Sequence, residues 1–188
     1  AELHLGYSGT HNHEHYDNLG IILWAHGREL LSDTRYRAPA DSVTERSWHM
    51  ATAAHNTVVI DESNQSSRFS GHRREITEQD AMTDISQYPG MTIDIPNWTH
   101  RSNGMGDSHN DGELRCYATD GPGVQVIEAS AERSWNPSPE IYRRTVALVQ
   151  TGEGSHYAVD FFRVRGGETH DWMLHGCLQL PYELATSV

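Results

Sequence analysis

The sequence predicts an all-β fold, an antiparallel β-sandwich, on three observations: apolar runs of strand length, turn signals between them, and poor helical spacing throughout. The first arm is Leu19 to Ala25, followed by His26-Gly27 and a second arm, Arg28 to Asp33, which together read as a hairpin with a tight turn. Both faces of the first arm carry apolar side chains (Leu19, Ile21 and Leu23 against Ile22 and Trp24), so cover on both sides is expected. Asn56 to Asp61 is a second clear strand, and Val124 to Ala129 a third. Tyr142 to Val149 and Tyr157 to Val164 flank a Gly-rich turn as a second hairpin, with Val146, Leu148, Tyr157 and Val159 expected to line a core. Pro39 to Ala54 has room for a short helix, although its apolar spacing is poor. Residues 62 to 115 are polar and read as long loops around short strands such as Met91 to Ile95. Trp135 to Pro139 is a turn.

The length, 188 residues, suits one domain, taken as 1–188, with a single sizeable core. Lysine and arginine number 14 against 26 aspartates and glutamates, a formal charge of −12. That balance argues against a nucleic-acid partner or an anionic membrane surface, either of which wants a basic face. No apolar run approaches a membrane-spanning length. Cys116 and Cys177 are compatible with one disulfide or with two free buried thiols, the latter being the commoner outcome for so few. The conspicuous feature is 13 histidines, since imidazole is the commonest metal ligand and the usual acid–base group.

The histidines are not evenly informative. His11, His13 and His15 alternate in the N-terminal segment, so on a strand they would share one face and converge on one ion. Asp33 ends the first hairpin and His55 precedes the Asn56 strand. Two imidazoles and a carboxylate are a usual zinc set with a fourth position left over. A strict two-residue turn pairs Asp33 with Gly20 rather than His15, so these ligands meet only if residues 15 to 19 bend or the turn is longer. From spacing alone, an exposed histidine-rich loop is an equal alternative.

Three segments alter that balance: Gly9-Thr-His-Asn-His-Glu-His-Tyr-Asp-Asn-Leu19, His26-Gly-Arg-Glu-Leu-Leu-Ser-Asp33 and Thr52-Ala-Ala-His-Asn-Thr-Val-Val-Ile-Asp61. Together they resemble the heparinase II/III-like polysaccharide lyases, which include alginate and glycosaminoglycan lyases. The family pattern is an H-x-H-x-D-x-L segment, a strand pair ending in Asp, and an A-H-N-T strand. Arg143-Arg-Thr145 and Val159 to Gly176 are similar to the family less specifically. The resemblance implies a β-sandwich that follows an α/α toroid, the two enclosing the cleft of an acidic polysaccharide. It implies His15, Asp33 and His55 as ligands of a structural zinc, His13 and Tyr36 as catalytic residues, and Asn56 as a substrate contact; Arg35, near the motif, is a further candidate substrate contact because a guanidinium suits a carboxylate. Asn56 would otherwise orient the neighbouring ligand, and Tyr36 follows Asp33 more closely than the family spacing suggests. It also implies a periplasmic or secreted protein. The toroid is not in these residues, so the chain is expected to be part of a larger enzyme.

The chemistry fits those residue types. A uronate lyase removes the C5 proton beside the sugar carboxylate and expels the C4 oxygen, which calls for hydrogen bonds aimed at the developing charge and an acid–base pair. Arg28, Arg35, Arg37 and Arg46 near the motif would give a local basic cleft in an acidic domain. Two alternatives stand beside the lyase: a non-catalytic carbohydrate-binding or structural sandwich, and a cupin-like metal enzyme, which lacks its usual glutamate after His13-Glu-His15. His170 and His175 are read as a second small site or, more commonly for such residues, as structural histidines.

Overall fold

The computed structural model describes residues 2–3, 15–33, 48–49, 51–65 and 112–177. The strands in chain order are β1 (Glu2–Leu3), β2 (Ile21–Ala25), β3 (Arg28–Leu31), β4 (Val58–Ile60), β5 (Glu113–Ala118), β6 (Val124–Ser130), β7 (Ile141–Gly152), β8 (Ser155–Arg165) and β9 (His170–Trp172). They form a four-stranded antiparallel sheet, β5-β6-β7-β8, and two small sheets, β1-β2-β3 and β4-β9. The expected all-β class with antiparallel sheets is what the chain adopts.

Why these residues build these layers is clearest in β7, where burial alternates from Tyr142 through Arg144 to Val146. Those side chains face a core of Leu19, Val58, Ile60, Ala129, Ala131, Trp135 and Tyr142, with Phe162 and Val164 packed against it. The sandwich interior therefore lies between the four-stranded sheet and the β4-β9 pair. Tyr142 meets Trp135 and Phe162 edge to face, with centroids 5.4 and 4.9 Å away.

The register corrects one expectation. Val146 pairs with Asp160, whereas Ala147 pairs with Val159 and Val149 with Tyr157. Val146 and Leu148 thus share the face opposite that of Tyr157 and Val159, and Tyr157 is 51% exposed. The first arm is not covered on both sides either, since Trp24 is 60% exposed. β5 begins within the stretch read as loops and runs three residues past it; its residues are exposed along its whole length, so no burial period marks it. The 39–54 helix lies largely outside the described residues, and what is described of it includes a single 3-10 turn at Thr52–Ala54. The Met91 to Ile95 strand also lies outside the described residues. Cys116 and Cys177 are free thiols but not the buried pair expected: Cys116, on the exposed β5, is exposed and Cys177 is half-buried.

A buried polar network ties the layers together. The Tyr142 hydroxyl donates to the Val58 carbonyl at 2.6 Å and accepts from Gln65 Nε2 at 3.2 Å. Gln65 and Asn18 exchange bonds through Asn18 N to Gln65 Oε1 and Gln65 Nε2 to Asn18 O. Burial pushes the Tyr142 hydroxyl pKa up to about 12, so it remains a neutral donor.

Beyond β4 the chain turns through Asp61 and Glu62, both at positive φ (51° and 47°). The Asp61 carboxylate accepts the backbone N–H groups of Thr169 and Glu168 at 2.8 and 2.7 Å, closing the approach to β9. These bonds, that of Thr169 first, hold its pKa below the ordinary 3.8. A carboxylate with a depressed folded pKa contributes stability above its unfolded value and loses it as pH falls through the folded one. Asp61→Asn is accordingly expected to flatten the acid limb of stability below pH 3.8, by about 1 kcal/mol or less because the group is exposed. Urea titrations at a series of acidic pH values measure it; an unchanged acid limb would exclude this role.

Candidate metal centre

The hairpin turn is the two-residue kind, with Ala25 paired to Arg28 and positive φ at His26 and Gly27 (52° and 73°). A bulge between Leu23 and Trp24 shifts the pairing farther along. The approach to β2 is bent instead of extended: Gly20 N–H donates to the Asp17 carbonyl at 2.7 Å, and Leu19 sits at φ 59°. A side chain at position 20 would put its Cβ 2.8 Å from that carbonyl oxygen, which is why glycine stands there. The bend of residues 15 to 19 on which the ligand meeting depended is therefore present.

It carries His15 to His55, their ring centroids 5.2 Å apart. His15, Asp17 and His55 each present a ligand atom within 4.8 Å of the others, a group able to hold a metal ion. Asp33 reaches the same imidazole separately, its Oδ1 lying 2.6 Å from His55 Nδ1. His55 is only 1% exposed, and its Nε2 is buried with no hydrogen-bond partner among the described residues. A buried imidazole nitrogen without a partner is costly as a polar group and useful as a ligand, so the donor set fits an ion. Asp17, Asp33 and His55, with Gly20, Ile21, Ile22 and Asn56, line a cavity of about 210 Å³ beside this group.

Asn56 is buried and its amide is spent on the protein. Its Nδ2 donates to the carbonyls of Ile21 and Ser32 at 3.0 and 2.7 Å, and its Oδ1 accepts the His175 N–H at 2.6 Å. Of its two expected roles, the geometry suits orientation of the adjoining His55 and leaves no amide group over for substrate. His13, Tyr36 and Arg35 lie outside the described residues.

Asp17 carried a signal in the sequence, being the acid of the H-x-H-x-D pattern, but no role was attached to it. His175 takes the structural, hydrogen-bonded role that was the commoner of its two readings, and forms no second site with His170. Its Nε2 is 2.9 Å from the Ala53 carbonyl, so this nitrogen bears the proton, and its backbone N–H and carbonyl bind Asn56 and Ser32. Burial depresses its pKa, the Ala53 bond opposing, so the ring is neutral near pH 7. His170 bonds elsewhere, to the Gly166 carbonyl at 2.8 Å. His175 thus clamps the segments bearing Asp33 and His55. His175→Phe is expected to weaken metal binding roughly 10–100-fold, as for other residues that orient ligands. His175→Gln, which keeps a donor for Ala53, should recover much of this in a competition titration with a chromophoric chelator. Equal affinities for wild type and the Phe variant would exclude the clamp.

A sequence model of the family described as heparinase II/III-like, C-terminal, matches residues 4–176. No curated protein matches the chain.

Proposed function

Because the chain belongs to the heparinase II/III-like family through its C-terminal domain, we propose that it is the metal-bearing β-sandwich of a polysaccharide lyase acting on uronate-containing polymers such as alginate or heparan sulfate. The observation that carries this reading is the meeting of His15 and His55 with carboxylates at the end of a tight turn, around a buried nitrogen that has no partner among the described residues. We assign a zinc ion to His15, Asp33 and His55. When bound it supplies a rigid junction between three chain segments, with the capacity to polarise an oxygen ligand.

The protein's own groups then do the following. Asn56 and His175 hold the His55 loop against the end of β3. His13, two residues before His15 in the sequence, is assigned to donate to the sugar carboxylate or to take the C5 proton. Tyr36 serves as the partner acid that protonates the departing C4 oxygen, and Arg35 neutralises the uronate carboxylate, for which a guanidinium is suited. A toroidal domain of the family type supplies the remaining sugar contacts, and such a polymer places the enzyme in the periplasm or outside the cell.

Incubation with alginate, heparan sulfate and hyaluronan, followed by the ultraviolet absorbance of the unsaturated uronate, tests the reaction. The chain combined with a family toroid is expected to generate that chromophore, and His13→Ala to abolish it. Depolymerisation without unsaturation would mean hydrolysis and contradict the proposal; binding without cleavage in the combined protein would favour a carbohydrate-binding sandwich.

A further inference from the structure

We propose that Asp17 is a further metal ligand, closing the coordination sphere so that the ion is structural and has no open position for substrate; this rests on the metal reading above. The residues implied by resemblance number three, His15, Asp33 and His55, and leave one position of a four-coordinate zinc open. Yet the mutually close group in the structure takes in Asp17 with the two histidines, all ligand atoms lying within 4.8 Å of one another. Asp33 joins through His55, 2.6 Å from its Nδ1. Both carboxylates and His55 line the same cavity. The His55 ring is held by Asp33 at Nδ1, and its Nε2 is buried with no hydrogen-bond partner among the described residues.

The local backbone explains how Asp17 comes to be there. The Asp17 carbonyl accepts the Gly20 N–H at 2.7 Å, and Leu19 takes a left-handed φ of 59°. This turn redirects the chain between residue 17 and β2, and the carboxylate just before it stands with His15 beside His55. Arg144 then fixes the turn from below, its Nη1 donating to the Leu19 carbonyl at 2.6 Å. Asp17 is therefore a placed carboxylate on a braced turn. With Asp17 added to the three ligands that the resemblance implies, of which Asp33 lies outside the mutually close group, two imidazoles and two carboxylates would close a structural zinc sphere; three protein ligands and a water would be the catalytic arrangement.

The two arrangements differ in whether a small anion can reach the ion. The experiment uses the whole chain stripped of metal and reloaded with Co²⁺, with Zn²⁺ affinity measured in parallel by competition. For wild type, the cobalt spectrum is expected to be insensitive to added azide. For Asp17→Asn, Zn²⁺ affinity falls by at least about 10-fold and the spectrum becomes azide-sensitive. Asp17→Cys places a thiolate where the carboxylate stood and should add an intense sulfur-to-cobalt charge-transfer band. Wild-type affinity and azide insensitivity in Asp17→Asn, an azide-sensitive wild type, or a Cys variant that binds Co²⁺ without the new band would each overturn the assignment. Loss of metal in His55→Ala alongside such results would leave the metal site itself standing, whereas a wild type that binds no metal would overturn both.

Discussion

Arg144→Met is expected to destabilise the chain by about 3–5 kcal/mol, because it removes one partner of a buried ion pair. Arg144 is wholly buried, and it makes a two-pronged pair with Asp160 at 2.9 and 2.6 Å. Its remaining donor capacity goes to the carbonyls of Leu19 and Asn56, and its guanidinium stacks 5.1 Å from the Phe162 ring centre. One side chain on β7 therefore grips both the turn that carries His15 and Asp17 and the strand that begins after His55. Removing it strands the Asp160 carboxylate and two carbonyls at once. A loss of this size corresponds to a Tm lower by roughly 6–20 °C for a chain of this length. The double variant Arg144→Met/Asp160→Leu removes both charges and should regain part of the loss, since a buried pair replaced by apolar groups is often near neutral. Thermal scans of wild type and the two variants decide it: a double variant no better than the single would mean that the carbonyl bonds, and not the stranded carboxylate, dominate.

The same geometry explains what could be read from the sequence and what could not. The β class was legible because the apolar runs at Asn56 to Asp61 and Tyr142 to Val149 are strand-sized and bounded by turn residues. Period-2 alternation marks which residues share a face within a strand, but it does not fix how two strands are registered. Tyr157 and Val159 were expected beside Val146 and Leu148 for that reason, and the pairing of Ala147 with Val159 puts them on opposite faces. β5 left no trace because an exposed strand needs no apolar face.

At the site, the order and content of three motifs singled out His15 and His55, which come together with Asp17, and Asp33, which contacts His55. The bend that brings His15 to His55 was not legible, because it depends on a left-handed Leu19 rather than on a residue type that announces a turn. For His175 the structural role was legible but its partners were not. It reaches Asn56 and Ala53 only because β9 pairs with β4 across most of the chain, Ile60 opposite His170 and Val58 opposite Trp172. Such a long-range pairing has no local signature, and a lone histidine in a strand-rich segment reads as structural.

The second large effect concerns the ion. A ligand that binds only the folded state stabilises it by RT ln(1 + [L]/Kd), about 2.7 kcal/mol when free zinc is 100 times Kd. Adding zinc to stripped protein is therefore expected to raise Tm by roughly 5–10 °C at that ratio. The rise should vanish in His55→Ala, which removes the imidazole that both His15 and the carboxylates approach. It should survive in His170→Ala, whose ring is bound to the Gly166 carbonyl and stands apart from the group. A zinc-dependent rise of equal size in all three proteins would point to adventitious binding on an acidic, histidine-rich surface.

One ion is expected where the N-terminal turn, the end of the first hairpin and the His55 loop converge. Elemental analysis of extensively dialysed protein decides whether it is there. Wild type is predicted to retain about one zinc per chain, as a folded-state structural site does, and His55→Ala to retain none. Equal zinc content in the two proteins, or none in wild type even after reloading, would contradict it.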